Sequence, residues 1–169
     1  ELFNRTSNAI NLKNWKLSDA STTITITTQD KFIDANSFLI ISRDSSILNY
    51  YNVPSQIITA TIPSLNNTGD VVVIKDPLGT QIDSVPYLPT WGGNVGGKSL
   101  ERISAYALSN NPANWGSSTS SNKATPGSIN SITPKENDLT ISSFKSENDY
   151  GIIGDEIFFT VILKNIGLN

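Results

Sequence analysis

Residues 70–85 read DVVVIKDPLGTQIDSV, and this stretch decides the fold class. The apolar run Asp70–Lys75 is followed by the segment Asp76-Pro77-Leu78-Gly79 and then by a second β-prone run at residues 80–85. Proline and glycine within four residues between two such runs are typical of a tight turn. The stretch therefore predicts a β-hairpin, with strands at residues 70–75 and 80–85.

Strand patterns continue on the N-terminal side of this hairpin. Apolar and polar residues alternate at residues 9–12, 14–18 and 22–27, and a short apolar run, FLIIS, occupies residues 38–42. A further strand is predicted at residues 56–61. Period-two alternation is the signal of half-buried strands, and helical periodicity is limited to a short turn at residues 45–51. The sequence thus predicts an all-β fold.

The C-terminal part of the chain also has β-strand patterns, but only two of them. Residues 131–136 predict a short linker, and two further strands are expected at residues 138–144 (DLTISSF) and 156–164 (EIFFTVILK). Two strands alone do not form a stable sheet in water. We therefore expect residues 137–169 to form an incomplete second β-sandwich.

Several short motifs occur in a fixed order between residue 1 and residue 130. They are ELFN at residues 1–4, Leu12-x-x-Trp15-x-Leu17-x-Asp19, FLIIS, GDVVVIKDPLG, Asp83-Ser84-Val85-x-Tyr87, Gly97-x-Ser99-Leu100-Glu101-Arg102, and Trp115 with Thr125-Pro126-Gly127. This ordered set resembles the lamin tail domain in its bacterial form. The resemblance implies an immunoglobulin-like β-sandwich over residues 1–130, in a family whose first strand ordinarily precedes the ELFN segment.

The C-terminal segment, residues 137–169, resembles the start of the cell-adhesion-related domain of bacterial surface proteins, which is also immunoglobulin-like. Together the two resemblances imply a non-catalytic module of a bacterial secreted or surface protein, which spaces or docks other domains or protein partners. Two alternatives remain open: a carbohydrate-binding module, and a subunit of a surface assembly that shares strands between chains.

The segment Gly92–Ser99, GGNVGGKS, matches the letters of a nucleotide-binding phosphate loop. Such a loop follows a buried strand and opens a helix, so that backbone N–H groups and the helix N-terminus meet the phosphates. Here Pro86 and Pro89 precede the glycines, and the strand-like stretch SLERIS follows them. We therefore expect a loop between two strands. Leu100 and Ile103 lie three apart, which leaves open either a bulge or an uneven strand end.

The amino-acid composition excludes several kinds of catalytic and metal-binding site. The chain has no His and no Cys, which excludes imidazole and thiol catalysis and thiolate metal sites. The candidate carboxylates, at Asp70, Asp76, Asp83 and Glu101, are not brought together by any pattern, so no catalytic residue and no cofactor are predicted. Calcium is the only plausible metal, with the turn Glu147-Asn148-Asp149 as its candidate site.

Charge and aromatic residues bear on partners. Residues 1–130 carry nine acids and nine basic residues, and residues 131–169 carry six acids and three lysines. Without a basic cluster, nucleic acid is not an expected partner. No run of residues is long and apolar enough for a membrane span. The candidate contacts for a protein or glycan partner are Trp91, Tyr87, Arg102 and Tyr106, while Trp15 is expected in the core and Trp115 as the anchor of an irregular segment at residues 110–126.

Overall fold

The structure, a computed structural model, describes residues 1–135, 138–147, 151–154 and 156–167. The chain divides into two compact units, Glu1–Thr133 and Pro134–Asn169. Residues 131–133, which the sequence places in the linker, therefore lie within the first unit. The described residues contain strands and short 3₁₀ turns, with no α-helix among them. The fold is all-β, as predicted.

The first unit contains eleven short strands. They are β1 (Leu2–Phe3), β2 (Ile10–Asn11), β3 (Lys16–Ser18), β4 (Thr23–Thr25), β5 (Phe32–Ile33), β6 (Phe38–Ser42), β7 (Gln56–Thr59), β8 (Asp70–Lys75), β9 (Gln81–Tyr87), β10 (Leu100–Arg102) and β11 (Trp115–Ser117). One sheet has the order β4-β3-β8-β9 and another the order β1-β6-β7, while β2 pairs with β5 and β10 with β11.

The predicted hairpin is confirmed as β8 and β9, which pair antiparallel from Asp70 opposite Tyr87 to Lys75 opposite Gln81. Asp76 forms the turn: its carboxylate accepts the N–H groups of Leu78 at 2.9 Å and Thr80 at 2.8 Å. Gly79 has a φ of 89°, which a residue with a side chain rarely adopts. The DPLG segment thus fixes the register of both strands.

The core lies between the sheets, as an immunoglobulin-like β-sandwich requires. Four of its buried members lie in strands β5, β6, β7 and β8, and two directly follow β2 and β4; they are Leu12, Ile26, Ile33, Leu39, Ile58 and Ile74. Trp15 packs partly buried against this cluster, in agreement with the alternation of its strand. Full burial of one such aliphatic side chain stabilises the fold by roughly 1.5–3 kcal/mol.

Three short strands, of two or three residues each, were not predicted from the sequence. These are β1, β5 and β11. Residues 115–117 lie in a segment that we expected to be irregular, and their pairing with β10 makes them a strand. The predicted helical turn is a 3₁₀ helix, Ser45–Asn49, whose first turn is capped by the Asp44 side chain.

The second unit contains one antiparallel hairpin, β12 (Leu139–Ser146) with β13 (Phe159–Asn165), and a register shift lies between Ile141 and Ser143. The rings of Phe144 and Phe159 stack across it at 5.1 Å. Large apolar side chains of β12 and β13 are exposed. In the calcium candidate, Asn148 and Asp149 lie outside the described residues.

Candidate functional site

A cleft of about 1060 Å³ opens on the first unit. Its floor is apolar and includes Leu12, Trp15 and Ile74, which also belong to or pack against the core. Its walls are formed by residues of β1, β9 and β10 and of the loop at residues 105–109. The cleft brings together three of the four predicted contact residues, Tyr87, Arg102 and Tyr106.

Arg102 is held by contacts within the unit. Its guanidinium lies 3.2 Å from the Asp83 carboxylate and donates further hydrogen bonds to the carbonyl groups of Ser104 and Ala107. It also lies 6.0 Å from the centroid of the Trp115 ring, which is cation–π distance. These contacts join β9 and β10 to the loop that follows, so the side chain is fixed in the cleft wall.

Trp91 is half-buried and packs against Trp115, with ring centroids 6.2 Å apart. Trp115 Nε1–H donates to the Ser109 carbonyl at 2.8 Å, which fixes the indole. Trp91 therefore lies beside the cleft wall, where its ring packs against that of Trp115.

The two tyrosines differ in exposure. Tyr87 donates its hydroxyl to the Asn66 carbonyl at 2.7 Å, and burial, followed by the nearby Asp70 charge, raises the pKa of its phenol. Tyr106 is 70% exposed at the cleft rim. Of the four predicted contact residues, Tyr106 offers the most free surface.

Asn114 positions the loop that carries Tyr106. This amide is 5% exposed; it accepts the Ser104 N–H at 2.9 Å and donates to the carbonyls of Ser104 and Leu108 at 3.0 and 3.3 Å. Because both ends of the loop are bonded to one buried side chain, the loop is pre-organised before any partner binds.

Glu101 is a buried carboxylate, 3% exposed, on the strand between Leu100 and Arg102. It accepts the backbone N–H and the hydroxyl of Ser131 at 2.8 and 2.6 Å, and the hydroxyl of Thr125 at 2.8 Å. Burial alone would raise the pKa of this carboxyl, but the hydrogen bonds from Ser131, Thr125 and Ser118 outweigh it and hold the pKa below its ordinary value. Sequence analysis names Glu101 only as a candidate carboxylate, because its donors Thr125 and Ser131 lie 24 and 30 residues away and no local pattern indicates the contact.

The glycine-rich segment forms the connection between β9 and β10. A short 3₁₀ helix, Pro89–Gly92, enters it, and Gly93, Asn94 and Gly97 adopt positive φ angles. The segment leads into the three-residue strand β10, so no helix N-terminus follows it to receive a phosphate. An uneven strand end accounts for SLERIS, since Ile103 lies just beyond β10.

The remaining candidate carboxylates are engaged locally. Asp70 accepts hydrogen bonds from Val71 N–H and from Asn66, and Asp76 caps its own turn. Within the part of the chain that the structure describes, no group of three or more acidic residues is arranged to hold a metal ion. In the same residues, no helix is long and apolar enough to cross a membrane.

Comparison with known families matches residues 1–89 to the lamin tail domain, just over half of the chain. The chain belongs to the lamin tail domain family. Neither the curated proteins nor the solved structures contain a significant match. Lamin tail domains are immunoglobulin-like, generally non-catalytic interaction modules, and this chain shares their all-β architecture.

The matched residues of this lamin tail domain end at Pro89, two residues after the end of β9 at Tyr87. Trp91, Glu101, Arg102 and Trp115 lie beyond that boundary. Even so, β10 and β11 belong to the same compact unit as the matched residues. The cleft is therefore built jointly by the matched strands β1 and β9 and by the segment that follows them.

Proposed function

We propose that this lamin tail domain is a non-catalytic docking and spacing module of a bacterial secreted or surface protein, and that its cleft is the face that receives a protein partner. The observation that carries the proposal is the pre-organised rim of the cleft. Tyr106 is exposed there on a loop fixed by Asn114, beside Arg102, which is itself held in place. Tyrosine and arginine are enriched where protein interfaces gain most of their energy.

A partner that enters the cleft gains apolar contact with its floor and polar contact at its rim. Apolar interface centres with polar rims are typical of specific protein contacts. The absence of histidine and cysteine from the sequence also supports a binding role over a catalytic one. The secreted or surface location rests on the bacterial resemblance of the two segments, and detection of the protein in secreted and surface fractions of its source cells tests it.

The docking role is tested by capture of partners from surface extracts with matched tyrosine variants. Tyr106→Ala removes the exposed ring at the cleft, whereas Tyr50→Ala removes a ring that is 78% exposed and does not line it. We expect the first variant to lose the captured partner and the second to retain it. Equal capture by both variants, or no specific capture by the wild type, would reject the docking role.

Glycan binding stays a prediction, and the aromatic residues give it limited support. Trp91 faces Trp115 and the Tyr87 hydroxyl is already bonded, so these rings do not form the flat exposed platform that sugars stack on. A glycan array with the intact chain tests this alternative. Binding that is lost in Tyr106→Ala would favour it over protein docking.

A further inference from the structure

Two segments of the first unit have the sequence pattern Asn-x-Ser/Thr, with a residue other than proline in the middle. They are Asn4-Arg5-Thr6 and Asn66-Asn67-Thr68. In this pattern the side-chain nitrogen of the asparagine is an acceptor for an N-linked glycan, and the transferring enzyme recognises the hydroxyl group two residues later. A pattern of this length also arises by chance in a chain rich in Asn, Ser and Thr. The surroundings of each asparagine therefore decide whether it can be modified.

Asn4 is closed to such a modification, because its side chain is buried and fully engaged. It is 3% exposed, and its Nδ2 donates to the carbonyl groups of Asn8, Ile33 and Asp34 at 2.8, 3.0 and 3.0 Å. Its Oδ1 accepts the N–H and the hydroxyl of Thr6 at 3.0 and 2.8 Å. The threonine of this pattern thus has a structural role, and a glycan on Asn4 would break buried hydrogen bonds.

Asn66 lies in the opposite environment, on the surface connection between β7 and β8. Asn66, Asn67 and Thr68 are all exposed. The Gly69 N–H donates to the Asn66 carbonyl at 3.2 Å, so these residues form a tight turn with Asn66 as its first member. Exposed turns and loops are where a bulky, solvated glycan can be attached without disturbing the fold.

The backbone of Asn66 is fixed, while the groups that an enzyme needs are accessible. Its N–H donates to the Asp70 carboxylate at 3.1 Å, and its carbonyl accepts the Tyr87 hydroxyl at 2.7 Å. Its Nδ2 makes one exposed hydrogen bond, to Asp70 at 2.9 Å, which leaves its second N–H free. Among the described residues, the Thr68 hydroxyl has no hydrogen-bond partner. Unlike Thr6, Thr68 therefore has no structural contact that explains its place in the pattern.

We propose that Asn66 is a glycosylation site, whose Nδ2 receives a glycan from a sugar donor with a phosphate leaving group. The step forms a bond between the anomeric carbon of the sugar and Nδ2, and it breaks the bond between that carbon and a phosphate oxygen. The phosphate leaves with the electron pair, and the amide nitrogen loses one proton to a base. A glycosyltransferase of the source cell supplies that base and the activated donor.

This inference goes beyond the docking function, because the modified residue is not part of the docking surface. Asn66 does not line the cleft, although the preceding residue Leu65 and its hydrogen-bond partner Tyr87 do. A glycan on Asn66 is therefore attached at the border of the cleft, outside its apolar floor. Glycosylation of Asn66 and docking at Tyr106 can be tested independently of each other.

Peptide mass spectrometry of the protein isolated from its source cells tests this inference. We expect the peptide that contains Asn66 to carry a mass increase equal to a whole number of sugar units, and fragmentation to place it on Asn66. The peptide that contains Asn4 serves as the internal reference and should be unmodified. An unmodified Asn66, or a glycan found on Asn4 in its place, would overturn the proposal.

Variants made in the same cells separate recognition of the pattern from attachment elsewhere. Asn66→Gln removes the acceptor and should abolish the modification, whereas Asn67→Gln makes the same change at the next exposed residue and should retain it. Thr68→Ala should also abolish it and Thr68→Ser retain it, which decides the question should Asn66→Gln fail to fold. A modification that survives Thr68→Ala would count against the proposal. An unmodified wild type that still captures a partner through Tyr106 would refute glycosylation and leave the docking function standing.

Discussion

Glu101 and Ser131 are joined by two hydrogen bonds, at 2.8 Å from the Ser131 N–H and 2.6 Å from its hydroxyl, across 30 residues of sequence. The carboxylate is buried, and it has no cationic partner among the described residues. A buried charge of this kind is tolerated only when hydrogen bonds replace its lost hydration. Glu101 therefore anchors the last segment of the first unit to β10.

Replacement of Glu101 by Gln is expected to destabilise the first unit by about 2 kcal/mol. The hydrogen bonds to a charged carboxylate become bonds to a neutral amide oxygen. In addition, the new amide N–H₂ group faces N–H and O–H groups of Ser131 and Thr125, which are themselves donors. Urea unfolding followed by tryptophan fluorescence measures the loss, since all three tryptophans lie in this unit. Glu147→Gln makes the same change at an exposed position and is expected to have little effect. A Glu101→Gln variant as stable as the wild type would show that the bonds contribute nothing.

The same group gives stability a pH dependence of definite sign. Its pKa lies below the ordinary value of 4.5 in the folded state, so its contribution is complete above that value and is lost as the pH falls through the folded-state pKa. Asp19, Asp30, Asp44 and Asp70 act in the same direction, mainly through hydrogen bonds. Glu1 opposes them, since burial raises its pKa.

We therefore expect unfolding free energies that are level from pH 7 to about 5 and fall below pH 4.5. The difference between the wild type and Glu101→Gln should shrink over the same acid range. A difference that stays constant down to pH 3 would mean that Glu101 does not titrate as the structure implies.

Replacement of Arg102 by lysine is expected to lower the stability of the first unit. Arg102→Lys keeps the charge but loses the multiple donors and the planar stacking on Trp115, and should cost about 1 kcal/mol. The exposed Arg43 provides the matched control, because its side chain makes no ion pair and no ring contact among the described residues. Thermal unfolding of both variants measures the difference; equal stability would indicate that only the charge at position 102 matters.

Gly127 is a glycine whose replacement by alanine should be costly. Its φ is +75°, and an added Cβ would lie 2.5 Å from the Ser55 hydroxyl and 3.1 Å from the Ser55 N–H nitrogen. Gly127→Ala is expected to destabilise the fold by about 1–3 kcal/mol. Gly96→Ala, in the glycine-rich loop, meets no atom within 4 Å and has no positive φ, so its stability should stay near that of the wild type. Similar losses for both would contradict the contact with Ser55.

Local pattern was enough to predict the hairpin of β8 and β9 and the all-β class. The DPLG turn and the alternation of β-branched residues act within a few positions, so they can be recognised without tertiary information. Two-residue strands such as Leu2–Phe3 have too few residues to show a period. Leu2–Phe3 forms a strand because it pairs with β6, a contact between residues distant in sequence.

The candidate site was less accessible to sequence reasoning. Tyr87, Arg102 and Tyr106 were recognised as residue types suited to binding, yet their meeting in one cleft depends on how β9, β10 and the following loop fold together. Trp91 looked equally suitable, but its neighbour is Trp115, 24 positions later in the sequence. Replacement of Trp91 is therefore expected to affect stability as well as binding, which makes Tyr106 the cleaner probe.

Site-specific photo-crosslinking in source cells tests the docking account most directly. A photoreactive phenylalanine derivative is placed at position 106, on the cleft rim, and in a separate variant at position 50, which is slightly more exposed (78% against 70%) and does not line the cleft. The account predicts a protein adduct from position 106 and none from position 50, and the mass of the adduct tells a second copy from another protein. No adduct at position 106, or equal adducts at both positions, would contradict it.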